Sequence, residues 1–203
     1  MKCFSTMISG VSQIKTKFIA IIILTILLNS IGAFGVEDYI NFIQLKGDSD
    51  LFESTVNAII QDDKGFMWFG TNNGLNMYDG YQFKSYKQIP FDENTIADNY
   101  ITSLEQSRDG YLWIGSNKGL TRFDTKKQKF THYQYDKKSK ESNKIGSNKI
   151  TSILEDSNGN MWVGTENDGL SKYNKEKDSF VKYRGDLIGS SITSIYEDSK
   201  KNI

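Results

Sequence analysis

An all-β fold, a β-propeller of four-stranded blades, is what three features of this sequence predict together. A unit recurs every 42–49 residues or so, a tryptophan with apolar neighbours holds the same place in each unit, and the turns are written in glycine and asparagine. The chain has 203 residues with a single proline and 17 glycines, and aromatic residues make up 13% of it, a bias toward strands. Basic and acidic residues balance at 25 each, which argues against nucleic acid or an anionic membrane as partner. The one cysteine, Cys3, precedes the predicted fold, so neither a disulfide framework nor a thiolate metal site is available to it.

The first element is a predicted signal peptide, residues 1–35. Lys15 and Lys17 precede an apolar run from Phe18 to Leu28, and Ala33-Phe34-Gly35 provides a small-x-small exit. The run is shorter than the ~20 residues a spanning helix needs, so export with cleavage before Val36 is expected. Residues 36–55 follow. Within them "YINFIQL", 39–45, alternates like a strand and is suited to completing the last blade of a closed ring.

The repeats come next, predicted as blades over 56–100, 101–149 and 150–191, with a fourth begun at 192–203. Each starts on an apolar residue (Val56, Ile101, Ile150, Ile192) and repeats one three positions on (Ile59, Leu104, Ile153, Ile195). This first strand ends in an acidic glycine turn, as in "DDKG" and "DSNG". The second strand holds Trp68, Trp113 or Trp162, then Gly70, Gly115 or Gly164, then Thr71, Ser116 or Thr165. Apolar residues on both sides of the tryptophan mean that both faces of the sheet are covered, which a blade between two others satisfies. A second turn, "NNG", "NKG" or "NDG", opens the third strand, which carries Tyr78, Phe123 or Tyr173. The fourth strand carries Phe-x-x-Tyr: Phe83 to Tyr86, Phe130 to Tyr133, Phe180 to Tyr183. Small residues in the third column of the first strand (Ala58, Ser103, Ser152, Ser194) suit a crowded strand near the axis.

The pattern I-x-x-I, D-x-x-G-x-x-W-[FIV]-G-[TS], G-L-x-x-[YF]-[DN] resembles the two-component regulator propeller repeat, from about Tyr39 to the end of the chain. That resemblance implies the periplasmic sensor region of a hybrid histidine kinase, one that detects oligosaccharides from glycan breakdown. It also implies further blades, a membrane helix and a kinase in cis, leaves room for a homodimer of the parent, and calls for no cofactor. The sequence thus reads as the N-terminal part of a longer protein, its own residues non-enzymatic, with apolar surface exposed when made alone. In that register the residues following Ile203 are expected to be tryptophan, an apolar residue and glycine, while Lys201 departs from the glycine of the other turns.

Other chemistry finds little footing. His132 is the only histidine, and the turn aspartates Asp62, Asp63, Asp156 and Asp198 lack the distal glutamate of an EF-hand loop and read as turn caps. The alternatives are a secreted propeller enzyme, quinone-dependent or polysaccharide-cleaving, and a stand-alone glycan-binding propeller. The connections that vary in length, between second and third strands and between units, should share one rim. Asn72, Asn73, Asn117, Lys118, Glu166, Asn167 and Asp168 offer amide and charged groups there for sugar hydroxyls.

Overall fold

A computed structural model describes residues 55–135, 145–183 and 191–203. The chain divides into two units, 1–45 and 46–203, and everything described lies in the second. The predicted signal peptide and the strand at 39–45 fall outside the described residues.

Among the described residues, twelve strands form three antiparallel sheets of four, each in simple sequence order. The first blade is β1 Val56–Gln61, β2 Met67–Thr71, β3 Gly74–Tyr78 and β4 Phe83–Tyr86. The second is β5 Ile101–Gln106, β6 Tyr111–Ser116, β7 Gly119–Asp124 and β8 Lys129–Tyr133. The third is β9 Ile150–Glu155, β10 Met161–Thr165, β11 Leu170–Asn174 and β12 Ser179–Lys182. Among the described residues, no helix is long and apolar enough to cross a membrane.

The core lies between blades. Trp68 joins Ile101, Leu112, Ile114 and Phe123 in one buried cluster; Trp113 joins Ile150, Met161, Val163 and Phe180 in another. Trp68 and Trp113 therefore face forward, onto the third-strand aromatic of the next blade: Trp68 meets Phe123 edge-on at 6.1 Å, and Trp113 meets Tyr173 at 4.9 Å. Their apolar neighbours, such as Leu112 and Ile114 beside Trp113, face backward. The recurring aromatic columns thus join blade to blade as well as filling each sheet.

Three devices repeat at every junction. The second residue of each first strand forms a bulge, where the register with the second strand slips. The bulged side chain reaches the next blade: Asn57 Nδ2 donates to the Ile101 carbonyl at 2.8 Å and Thr102 Oγ1 to the Ile150 carbonyl at 2.7 Å, while Thr151 Oγ1 donates to that of Ile192. The strand glycines Gly70, Gly115 and Gly164 make room for the incoming isoleucine. A Cβ on any of them would come within 2.6–2.7 Å of Cγ2 of Ile101, Ile150 or Ile192. Finally, the backbone N–H after each turn aspartate or serine bonds the sixth residue of the next first strand: Asp63 to Gln106, Arg108 to Glu155, Ser157 to Glu197.

The acidic turns are built from their side chains. Asp62 Oδ1 accepts from the backbone N–H of Lys64 and Phe66, and its Oδ2 from Trp68 Nε1 at 2.9 Å. Asp156 does the same toward Asn158, Asn160 and Trp162. Burial alone would raise the Asp156 carboxyl, but these bonds hold it below the usual carboxylate value. Asp198 caps a fourth turn through the N–H groups of Lys200 and Asn202. Lys201 adopts φ 67° where Gly65, Gly110 and Gly159 have 79–86°, so the missing glycine does not prevent the turn.

Candidate functional site

The turns between second and third strands repeat one local design. Thr71, Ser116 and Thr165 are buried, and each hydroxyl donates to the carbonyl of Gly74, Gly119 or Gly169 while accepting a backbone N–H from within its own turn. Those glycines sit at φ 113°, 129° and 73°, the left-handed region that the turn requires.

These turns are tied to the inter-blade connections. Gly74 N–H bonds the Asn99 carbonyl at 2.7 Å, Glu166 N–H bonds the Lys149 carbonyl at 3.0 Å, and Gln134 Nε2 bonds the Lys118 carbonyl at 2.8 Å. The two kinds of connection therefore lie together on one rim, as β-strands that alternate direction require.

The seven sequence-predicted residues divide into two groups on that rim. Four are held by the protein itself. Asn72 Oδ1 accepts from Thr55 N–H at 3.1 Å, Lys118 pairs with Asp98 at 3.6 Å, Glu166 with Lys149 at 2.6 Å, and Asp168 with Lys182 at 2.6 Å. Asp168 also packs on Gly146, where a methyl group would overlap its carboxylate. The other three, Asn73, Asn117 and Asn167, make no side-chain hydrogen bond among the described residues, and Asn117 and Asn167 are exposed. One such amide stands on each blade.

The partners Thr55, Asp98, Lys149 and Lys182 were not legible as site residues, because no fixed spacing links them to the turns they hold. His132 sits on β8 with both ring nitrogens engaged, Nδ1 with Thr121 Oγ1 at 3.1 Å and Nε2 with the Glu93 carbonyl at 3.0 Å, a structural role.

Comparison with known proteins bears on the repeats. The model of the family described as "two component regulator propeller" matches residues 50–73, 95–118 and 144–167. Each match takes in the first two strands of a blade and the turn that follows them. A protein named histidine kinase P4, from Formosa agariphila, is 45% identical over 47 residues, 23% of this chain and 3% of that protein. Among solved structures, the extracellular domain of a protein assigned as a hybrid two-component system from B. thetaiotaomicron aligns at 27% identity and TM-score 0.58. That alignment covers 63% of this chain and 18% of the other. Virginiamycin B lyase from Staphylococcus aureus aligns at 20% identity and TM-score 0.54, over 72% of this chain and 46% of the lyase, which shows a shared fold. The chain thus spans only a small part of the two-component proteins it matches. Each of its three blades holds a segment that matches the two-component regulator propeller model.

Proposed function

We propose that this chain is the N-terminal part of an exported, periplasmic propeller that senses oligosaccharides and signals to a histidine kinase carried in cis. The observation that carries this reading is the row of rim amides, Asn73, Asn117 and Asn167, without a side-chain hydrogen bond among the described residues, one per blade and each presented by a turn locked from beneath. An amide offers both a donor and an acceptor, which matches the hydroxyls of a neutral sugar. The ion pairs around them hold the backbone of the rim in place, so the ligand meets a preformed surface. The likeness to the extracellular domain of a two-component protein supports export and signalling. The lyase shares the fold alone and lends no support to a propeller enzyme. In the inferred parent, further blades complete the ring, a kinase reads its state, and dimerisation of the parent is one way to transmit it.

The test is calorimetry on the full-length receptor with oligosaccharides. Alanine at Asn117 and Asn167 together is expected to weaken binding about tenfold or more, the loss of a few neutral hydrogen bonds. Unchanged affinity with the fold intact moves the site away from these blades. Alanine at Lys118 and Glu166 is expected to loosen the rim and to act on binding only indirectly.

A further inference from the structure

The connection between the first and second blades, residues 87–99, carries one residue whose placement packing does not explain. Asp92 N–H bonds the Ile89 carbonyl at 3.2 Å, closing a turn with Pro90 and Phe91 at its centre. Phe91 takes φ 68° there, at the position a type II turn gives to glycine or asparagine, and its side chain is fully exposed. A left-handed φ is costly for a side chain of this kind, and burial offsets none of that cost.

The backbone around it is nevertheless held firmly. Gln88 N–H bonds Asn99 Oδ1 at 2.8 Å, Ile89 N–H bonds Thr95 Oγ1 at 3.2 Å, and Asn94 N–H bonds Asp92 Oδ1 at 2.9 Å. Two further bonds tie the connection to β8: His132 Nε2 donates to the Glu93 carbonyl at 3.0 Å, and Phe130 N–H to Asn94 Oδ1 at 3.3 Å. Phe91 is therefore displayed on a fixed frame.

Phe91 and the exposed Ile89 wall a hollow of about 340 Å³, at the small end of the range for small-molecule sites. Ala97, His132, Asp92 and Glu93 line it too. Both nitrogens of His132 are engaged, and the lining holds no lysine or arginine. Among the described residues, neither Asp92 Oδ2 nor the exposed Glu93 carboxylate has a hydrogen bond or ion pair.

We propose that this hollow binds a small amphipathic amine, with its ammonium group on Asp92 and Glu93 and its apolar body against Phe91, Ile89 and Ala97. The charge in the hollow selects the ligand's sign, since two carboxylates without a neighbouring cation repel an anion. A neutral molecule of the same shape keeps the apolar contacts but loses the charge-assisted hydrogen bonds. The open face of the Phe91 ring adds its own attraction for a cation, which gives the displayed side chain a use. This site employs none of Asn73, Asn117 and Asn167 and does not rest on the function proposed for them.

His132 is the only histidine, so the intact protein labelled with 15N-histidine gives one set of ring signals, from within the lining. Titration with phenethylamine at constant pH is expected to move them saturably in the millimolar range. Phenethyl alcohol should bind about fivefold more weakly, and hydrocinnamate, the matching anion, should leave the signals in place. Phe91→Gly relieves the left-handed φ and should keep or raise Tm, while weakening amine binding about fivefold or more. Asp92→Asn with Glu93→Gln keeps an acceptor for the Asn94 N–H and should make the amine and the alcohol bind alike. The proposal is overturned if phenethylamine leaves His132 unmoved, or if the alcohol or hydrocinnamate binds as well as the amine. Unchanged amine binding in Phe91→Gly, or an amine preference that survives the loss of both carboxylates, overturns it as well.

Discussion

At the residue scale, small side chains are placed where the next blade arrives. Gly115 shows this most sharply: a Cβ there would lie 2.3 Å from Ser103 Oγ and 2.7 Å from Ile150 Cγ2. Gly115→Ala is expected to cost about 1–3 kcal/mol in thermal unfolding, the usual penalty of overpacking. Ser107→Asp is expected to act in the other direction, raising stability by about 1 kcal/mol, since it satisfies the Trp113 N–H. Lys201→Gly should slow amide exchange in the fourth turn, because a left-handed φ of 67° costs a lysine about 1 kcal/mol that glycine avoids. The glycine columns were plain in the sequence, but the reason for Gly70, Gly115 and Gly164 was not. Their crowding partners, Ile101, Ile150 and Ile192, belong to the following unit, and a strand read alone gives no hint of them.

At the element scale, the first strand carries more of the assembly than its apolar pattern suggests. Alternation and turns marked its ends, and the spacing of Val56 and Ile59 fits the observed strand. The bulge at Asn57, Thr102 and Thr151 was hidden, because a polar residue in that column reads as a solvated position. So was the sixth column, Gln106, Glu155 and Glu197, whose bonds cross 40–47 residues to the preceding blade. Thr102→Val is expected to destabilise the second junction by about 1 kcal/mol in chemical denaturation, because the Ile150 carbonyl loses its donor. Glu105, in a column otherwise filled by Ile60, Leu154 and Tyr196, has its carboxyl raised above the usual value. Burial is the main cause, offset by the Glu155 N–H, with the nearby Glu155 charge adding to it. A raised carboxyl loses stability for the fold as pH climbs through its unfolded value, about 4.3, so Glu105→Gln should raise Tm at pH 7 and have little effect at pH 3.

At the scale of the whole molecule, the three blades hold together through polar clusters as well as through the apolar core. Asp178 of the third blade accepts from Tyr133 and Arg122 of the second and from its own Tyr173. Burial would raise its carboxyl, but these donors hold it below the usual range, as Lys175 and Ser107 do for Asp109. A carboxylate lowered in the folded state contributes stability above its unfolded pKa, about 3.9, and loses it as pH falls through the folded value. Acid unfolding is therefore expected to begin below about pH 4 and to loosen the junction of the second and third blades first. Amide exchange in β5 and β9, followed from pH 6 downward, would show this order. The architecture was legible because the repeat states it three times. The rim was legible only in outline, since the sequence could nominate Lys118, Glu166 and Asp168 but could not reveal that Asp98, Lys149 and Lys182 already occupy them.

The bulged first strand and the strand glycine also bear on how such a chain grows. The second and third blades each carry both a socket, the glycine with its bulged donor, and a plug, the isoleucine whose carbonyl and Cγ2 fill the socket before it. A tandem duplication of one unit, wherever it falls in the gene, therefore yields a blade compatible with both neighbours at the moment it arises. Copy number can then drift with little structural resistance until the ring no longer closes. Divergence is free to act on residues outside the plug and socket, as it has on Ser107, Asp109 and Arg122.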